Sequence, residues 1–166
     1  MDIKERNKKI ELYGRGFDLL TAALAEVPKE VWKFKPAPTE WSVHEIIIHL
    51  ADSESNAALR ARKLIVEPGG VLMGYDQAKW ADELNYHNQS YEDALETVRL
   101  VRKTTYELLK KQPDEVFTHS VKHPEYEELY TFEMWINIYS GHIPAHIKQI
   151  RNNVELWGKV EKKVNT

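Results

Sequence analysis

Histidine is the residue through which this chain can do metal or proton chemistry: seven of its 166 residues are His and none is Cys. Without thiols the chain cannot form disulfides, iron–sulfur sites or sulfur-based zinc fingers, so any metal must be held by imidazole and carboxylate. Two pairs have His-x3-His spacing, His119/His123 and His142/His146. Chance gives about 0.3 such pairs at this composition, so spacing alone is weak evidence. Context separates the pairs. His123 precedes Pro124, and proline disfavours helical backbone at the residue before it, so His119 and His123 are not expected to share a helix face. His142 and His146 lie in a periodic helical segment, where residues i and i+4 stack and can grip one ion. Pro144, between them, removes a hydrogen bond to the Ser140 carbonyl and should bend the helix; on the helical wheel it points away from both imidazoles.

Two imidazoles rarely hold a catalytic metal, so a third ligand is needed. His49 is the candidate, flanking the stripe Ile46, Leu50, Ala57 and Ala61 and lying next to Ser53 and Asn56. Asp52, three residues on, offers a carboxylate to orient the ligands from outside. A histidine beside an apolar stripe is also commonly a hydrogen-bonded boundary residue, and composition and spacing leave that reading open. His44 is expected to be solvated, and His87 carries no signal. Trp41, Trp135, Tyr139 and Trp157 read as core rather than pocket, and the run Glu125 to Glu128 as a solvated loop.

The elements that must position these residues are helical. Ile3, Ile10, Tyr13, Phe17, Leu20, Leu24 and Val27 form one apolar stripe, ended by Pro28. Trp41-Ser42-Val43-His44-Glu45-Ile46 reads as a capping box with a staple, opening a second helix that runs to about Ile65 before Pro68-Gly69-Gly70. A long connection, Val66 to Gln89, should pack on the bundle through Trp80; loops of that length usually cross a domain or carry function. Ser90 caps a third helix with Ala94, Val98, Val101, Thr105 and Leu108 on its stripe. Glu115 to Tyr130 is irregular or briefly extended, and a fourth helix spans about Phe132 to Trp157. The spacing predicts an all-α four-helix bundle with a long crossover between helices 2 and 3. Residues 1–158 form a single domain and 159–166 a polar, frayed tail.

Composition restricts the function. The net charge is −3 with no basic block, which disfavours nucleic acid. No apolar run reaches the roughly 18 residues of a membrane helix, and Met1 to Arg6 lacks an apolar signal core, so a cytoplasmic location is expected.

Four segments together resemble the DinB-like superfamily, in particular its YfiT branch. They are Trp41-Ser42-Val43-x-Glu45-Ile46-x-x-His49-Leu50-Ala51-Asp52-Ser53, Tyr75-Asp76-x3-Trp80, His123-Pro124-Glu125-Tyr126 and Gly141-His142-x3-His146-Ile147-x-Gln149-Ile150. The resemblance covers roughly residues 32–153. It implies a four-helix bundle with the same crossover and one divalent ion, Zn2+ or Ni2+, held by His49, His142 and His146. It also implies a metal-dependent enzyme. One reading is a thiol S-transferase that activates a bacillithiol-like small thiol toward an electrophile; another is a hydrolase using water activated at the metal. A non-catalytic metal-binding protein of the stress response is the third. A homodimer through exposed helix faces is the family expectation. The chain departs from the branch at Ile138 and Gly141, where relatives carry further histidines, which bears on proton transfer. It departs again at Glu127, where they tend to have Gly.

Overall fold

The computed structural model describes residues 1–164. Six α-helices carry the fold: α1 (Ile3–Gly14), α2 (Gly16–Ala25), α3 (Val43–Val66), α4 (Gln77–Glu83), α5 (Tyr91–Leu109) and α6 (Phe132–Val164). The bundle consists of α1 with α2, then α3, α5 and α6, with α3 packed on α5, and α1 and α2 on α6. Two short strands, β1 (Ser120–Val121) and β2 (Tyr130–Thr131), pair antiparallel, with Ser120 opposite Thr131 and Val121 opposite Tyr130. Val71 bridges to Lys122 beside them.

Local sequence explains the helix starts. The Ser42–Glu45 capping box is formed in both directions: Ser42 N–H donates to Glu45 Oε2 at 2.8 Å, and Glu45 N–H to Ser42 Oγ at 3.2 Å. Asp2, Asp76 and Ser90 cap α1, α4 and α5 in one direction only, each side chain accepting from the backbone N–H three residues on.

The first helix differs from the expected continuous one: it breaks at Arg15, between Gly14 and Gly16. The break comes from α5. Arg102 donates from Nε and Nη2 to the Tyr13 carbonyl at 3.0 and 2.9 Å. A Cβ on Gly16 would sit 2.7 Å from that guanidinium, so only glycine allows the approach.

The α5 stripe differs as well. Its buried positions are Ala94, Val98, Arg102, Thr105 and Leu109, while Val101 and Leu108 are half-buried. Arg102, only 1% exposed, is accommodated because Glu54 and the carbonyls of Tyr13 and Tyr139 take up its donors.

The crossover is partly structured. It contains α4 and a 3₁₀ turn at Tyr86–Asn88, entered through Asn85 at φ 52°. Tyr86 is fully buried, and Trp80 packs against the core as expected. The last helix runs uninterrupted through Pro144 and on to Val164, so the stretch expected as a tail from 159 is helical up to that point. Residues 165–166 lie outside the described residues.

The apolar core divides in two. One cluster joins α2, the first half of α3 and the middle of α6 through Leu20, Ile47, Leu50 and Ile143. The other joins α1, the second half of α3 and the start of α6 through Tyr13, Ala61, Leu64 and Trp135. Buried polar residues lie along α3 between the two apolar stretches: His49, Ser53, Glu54 and Asn56.

Candidate metal centre

His49, His142 and His146 each present a nitrogen within 4.8 Å of the other two. The helices explain why. His142 and His146 are one turn apart on α6, and α3 brings His49 between them, with ring centroids 5.4 Å from His142 and 4.9 Å from His146. The Nε2 atoms of His142 and His146 are 3.2 Å apart. Two nitrogens on one tetrahedral ion at 2.0–2.1 Å would lie about 3.3 Å apart, so this pair is already spaced for shared coordination.

Electrostatics agree. Burial, then the neighbouring His146 and His142, lower His49 to about 2. Burial, then His142, lowers His146 to about 4, against the opposing effects of Gln149 and Glu54. Both rings are therefore neutral at pH 7, the form whose lone pair binds a metal. Both ring nitrogens of His49 are buried without a hydrogen-bond partner, a costly state for a polar side chain that a ligated ion would relieve. A divalent ion fits this donor set.

The surroundings orient the rings. His146 Nδ1–H donates to Gln149 Oε1 at 2.9 Å, leaving the Nε2 lone pair facing His142. His142 Nδ1 lies 3.9 Å from Glu54 Oε1. Glu54 is fully buried, ion-paired with Arg102, and accepts from Tyr13 Oη at 3.3 Å. Asp52, the carboxylate singled out from sequence, accepts instead from the Tyr86 hydroxyl. Trp41 lies over His49 with centroids 4.5 Å apart and stacks on His146 at 6.4 Å. Asn153 donates to its carbonyl at 2.8 Å. Trp41 thus forms a wall of the site as well as packing, half-buried, against the core where it was expected.

The other histidines stand apart. His44 is 5% exposed, not solvated, because it packs against Tyr91 and His87 under the crossover. His119 Nδ1 contacts the Leu64 carbonyl at 2.9 Å, and His123 faces Tyr126 and Tyr130. Neither joins the cluster. Gln149, Glu54 and Trp41 were not read from sequence as parts of the site. Gln149 had a signal, since position i+3 from His146 shares its helix face.

The DinB superfamily profile matches residues 13–150, and the chain belongs to that superfamily. Within it, two curated relatives are provisionally named metal-dependent hydrolases. A protein of Oceanobacillus iheyensis is 32% identical over 110 residues, 66% of this chain and 63% of the relative. YfiT of Bacillus subtilis is 26% identical over 110 residues, 66% of this chain and 62% of YfiT. The matches thus span less than two thirds of either relative. The solved structure of YfiT, described as a probable metal-dependent hydrolase with an unusual four-helix bundle topology, superposes with a TM-score of 0.87. It covers 95% of this chain and 90% of YfiT at 21% identity, which establishes the bundle fold.

Proposed function

We propose that this protein is a metal-dependent enzyme whose divalent ion, Zn2+ or Ni2+, is held by His49, His142 and His146, and that it transfers a small thiol to an electrophile. The observation that carries the metal reading is the convergence of three imidazole nitrogens, with both nitrogens of His49 buried and unpartnered. An ion bound there would supply Lewis acidity, lowering the pKa of the nucleophile that joins it.

The carboxylates favour a thiol over water. Asp52 is occupied by Tyr86, and Glu54 by Arg102 and Tyr13. Of the four oxygens only Asp52 Oδ1 is left unengaged to take a proton from a weakly acidic nucleophile. A thiol, with an ordinary pKa of about 8.5, needs little help to ionise, whereas water starts from about 15.7. Trp41 limits access to His49 on one side, and Gln149 holds His146 in register. The second reading, hydrolysis of an ester or amide, is favoured by the names of the relatives.

Elemental analysis of untagged protein comes first and should give about one divalent ion per chain. Metal-loaded protein should then accelerate conjugation of monochlorobimane with bacillithiol, and His146→Ala should abolish the gain. Metal-dependent cleavage of an ester or amide with no thiol-dependent rate would replace transfer by hydrolysis. Absence of bound metal would refute both.

A further inference from the structure

Beyond the three histidines, the polar face of α3 continues. His49, Ser53, Asn56 and Arg60 follow steps of four, three and four residues and so share one face. On α6 the same holds for His146, His142 and Tyr139. The two rows run antiparallel and meet twice. His49 meets His142 and His146 at one end. At the other, Arg60 Nη1 donates to Tyr139 Oη at 3.1 Å, while the Tyr139 ring lies 5.9 Å from that of His142. Tyr139 is seven residues before His146, about 10 Å along the helix.

Around Arg60 lies an unusual set of groups. The Nε2 of His123 and the Nε of Arg60 itself are buried without a hydrogen-bond partner, and the buried hydroxyls of Tyr75 and Tyr130 have only loose contacts, outside normal hydrogen-bond geometry, with Ser53 and Arg60. His123 is 4% exposed and Tyr130 fully buried. The rings of His123 and Tyr130 lie 5.4 Å apart, Arg60 donates to Tyr139 Oη and to the carbonyl of Met73, two residues before Tyr75, and its charge is felt at the Tyr75, Tyr130, Tyr139 and His123 side chains. The tautomer of His123 follows from its other nitrogen: the Glu125 backbone N–H donates to Nδ1 at 3.2 Å, so Nε2 carries the hydrogen. The unpartnered atoms can therefore all donate, and what the cluster lacks is an acceptor. Tyr75 and Glu125 also border a surface depression of about 720 Å³ between the crossover and the Pro124 loop, so the Tyr75 edge of the cluster lies beside solvent.

We propose that Arg60, His123, Tyr75 and Tyr130 form a subsite for a carboxylate of the substrate, with Arg60 about three helical turns from His49 along α3. A carboxylate carries two oxygens with about four lone-pair sites, matching the four donors in number. Its single charge matches the one guanidinium, and a dianionic phosphate would be less well balanced beside Glu125. As a substrate subsite this rests on the metal-centre reading, but the binding itself does not require a metal.

The test therefore uses metal-free, full-length protein, titrated with sodium propionate while backbone amide NMR shifts are followed. Inorganic phosphate and neutral propionamide serve as comparison probes. Propionate should shift the Glu125 amide saturably, and Tyr130→Phe and Arg60→Gln should each weaken binding at least about tenfold. Tyr130→Phe removes a hydroxyl whose only polar contact is the loose one with Arg60, so it should fold normally and keeps the test decisive if Arg60→Gln does not. Equal binding of propionamide, tighter binding of phosphate, or no saturable shift with any probe would overturn the proposal. Because no metal is present, none of these outcomes can be mistaken for failure of the metal-centre reading.

Discussion

Gln149→Leu tests whether the centre is assembled for a metal or only packed. In the structure His146 Nδ1–H donates to Gln149 Oε1 at 2.9 Å, and this bond leaves Nε2 as the free lone pair facing His142. Leucine keeps the side-chain bulk but offers no acceptor, so the ring can rotate and take the other tautomer. Partners of this kind contribute 10–100-fold to metal affinity, which is about 1.4–2.7 kcal/mol. The direct net value of one neutral hydrogen bond is about 1 kcal/mol, so loss of ring orientation must supply the rest. Competition for Zn2+ against a chromophoric chelator measures the change. Metal-free stability should move by less than about 1 kcal/mol, since Gln149 is half-buried and touches the site only through His146. Gln149→Glu, a stronger acceptor for the same N–H, should bind at least as tightly as the parent. Unchanged affinity in Gln149→Leu would show that His146 is not a ligand through Nε2, and would remove the geometric basis of the centre.

Other outcomes follow from the same contacts. Replacing His49, His142 or His146 by Ala should lower metal content more than Gln149→Leu does, while His44→Ala and His87→Ala should leave it unchanged by elemental analysis; the opposite pattern would mean the wrong histidines were chosen. Arg102→Met should destabilise the fold by about 3–5 kcal/mol in urea, because it strands the buried Glu54 carboxylate; adding Glu54→Gln should recover part of that loss. The metal-free protein should weaken as the pH falls below about 6.5. His49 and His146 have folded pKa values lowered to about 2 and about 4, so below 6.5 the unfolded chain binds more protons. At pH 5.5 the two together cost about 3 kcal/mol relative to pH 8, and a flat denaturant midpoint between those pH values would contradict the assigned burial.

The parts of the fold written in local sequence were legible. The Ser42–Glu45 box, the stripe of α3 and the His142/His146 pair each depend on residues within one or two helical turns, and all three appear in the structure. His49 was reachable because two i,i+4 imidazoles need a third and only one other long helix offered a histidine beside its apolar face. What could not be read came from helices meeting across the bundle. Arg102 looks like a surface residue until Glu54, the Tyr13 carbonyl and the Tyr139 carbonyl are brought to it, and the same approach breaks the first helix at Arg15. Trp41 has the composition of core, and only the position of His49 makes it a wall. His123 was set aside as a ligand for its proline neighbour, and nothing local indicated that its Nε2 would be buried without an acceptor.

Taken by stability alone, these two helices are poorly chosen. A bundle could fill the space between its two apolar clusters with Leu and Val, yet α3 places His49, Ser53, Glu54 and Asn56 there, all buried. Replacing buried ionic groups with apolar ones of similar size is often neutral or stabilising, and each buried polar atom left without a partner costs about 1–3 kcal/mol. The Glu54–Arg102 pair does not offset this, since its donors and acceptors largely satisfy one another. The unpaired atoms are concentrated elsewhere, on His49 and His142 at one end of the polar row and on Arg60, Tyr75, His123 and Tyr130 at the other. At the first end the missing partner is a cation, since lone pairs converge there. At the second, on the subsite proposal, it is an acceptor. On the carboxylate-subsite proposal, a single substrate would be held between the two, with its carboxylate at Arg60, about 16 Å along α3 from His49.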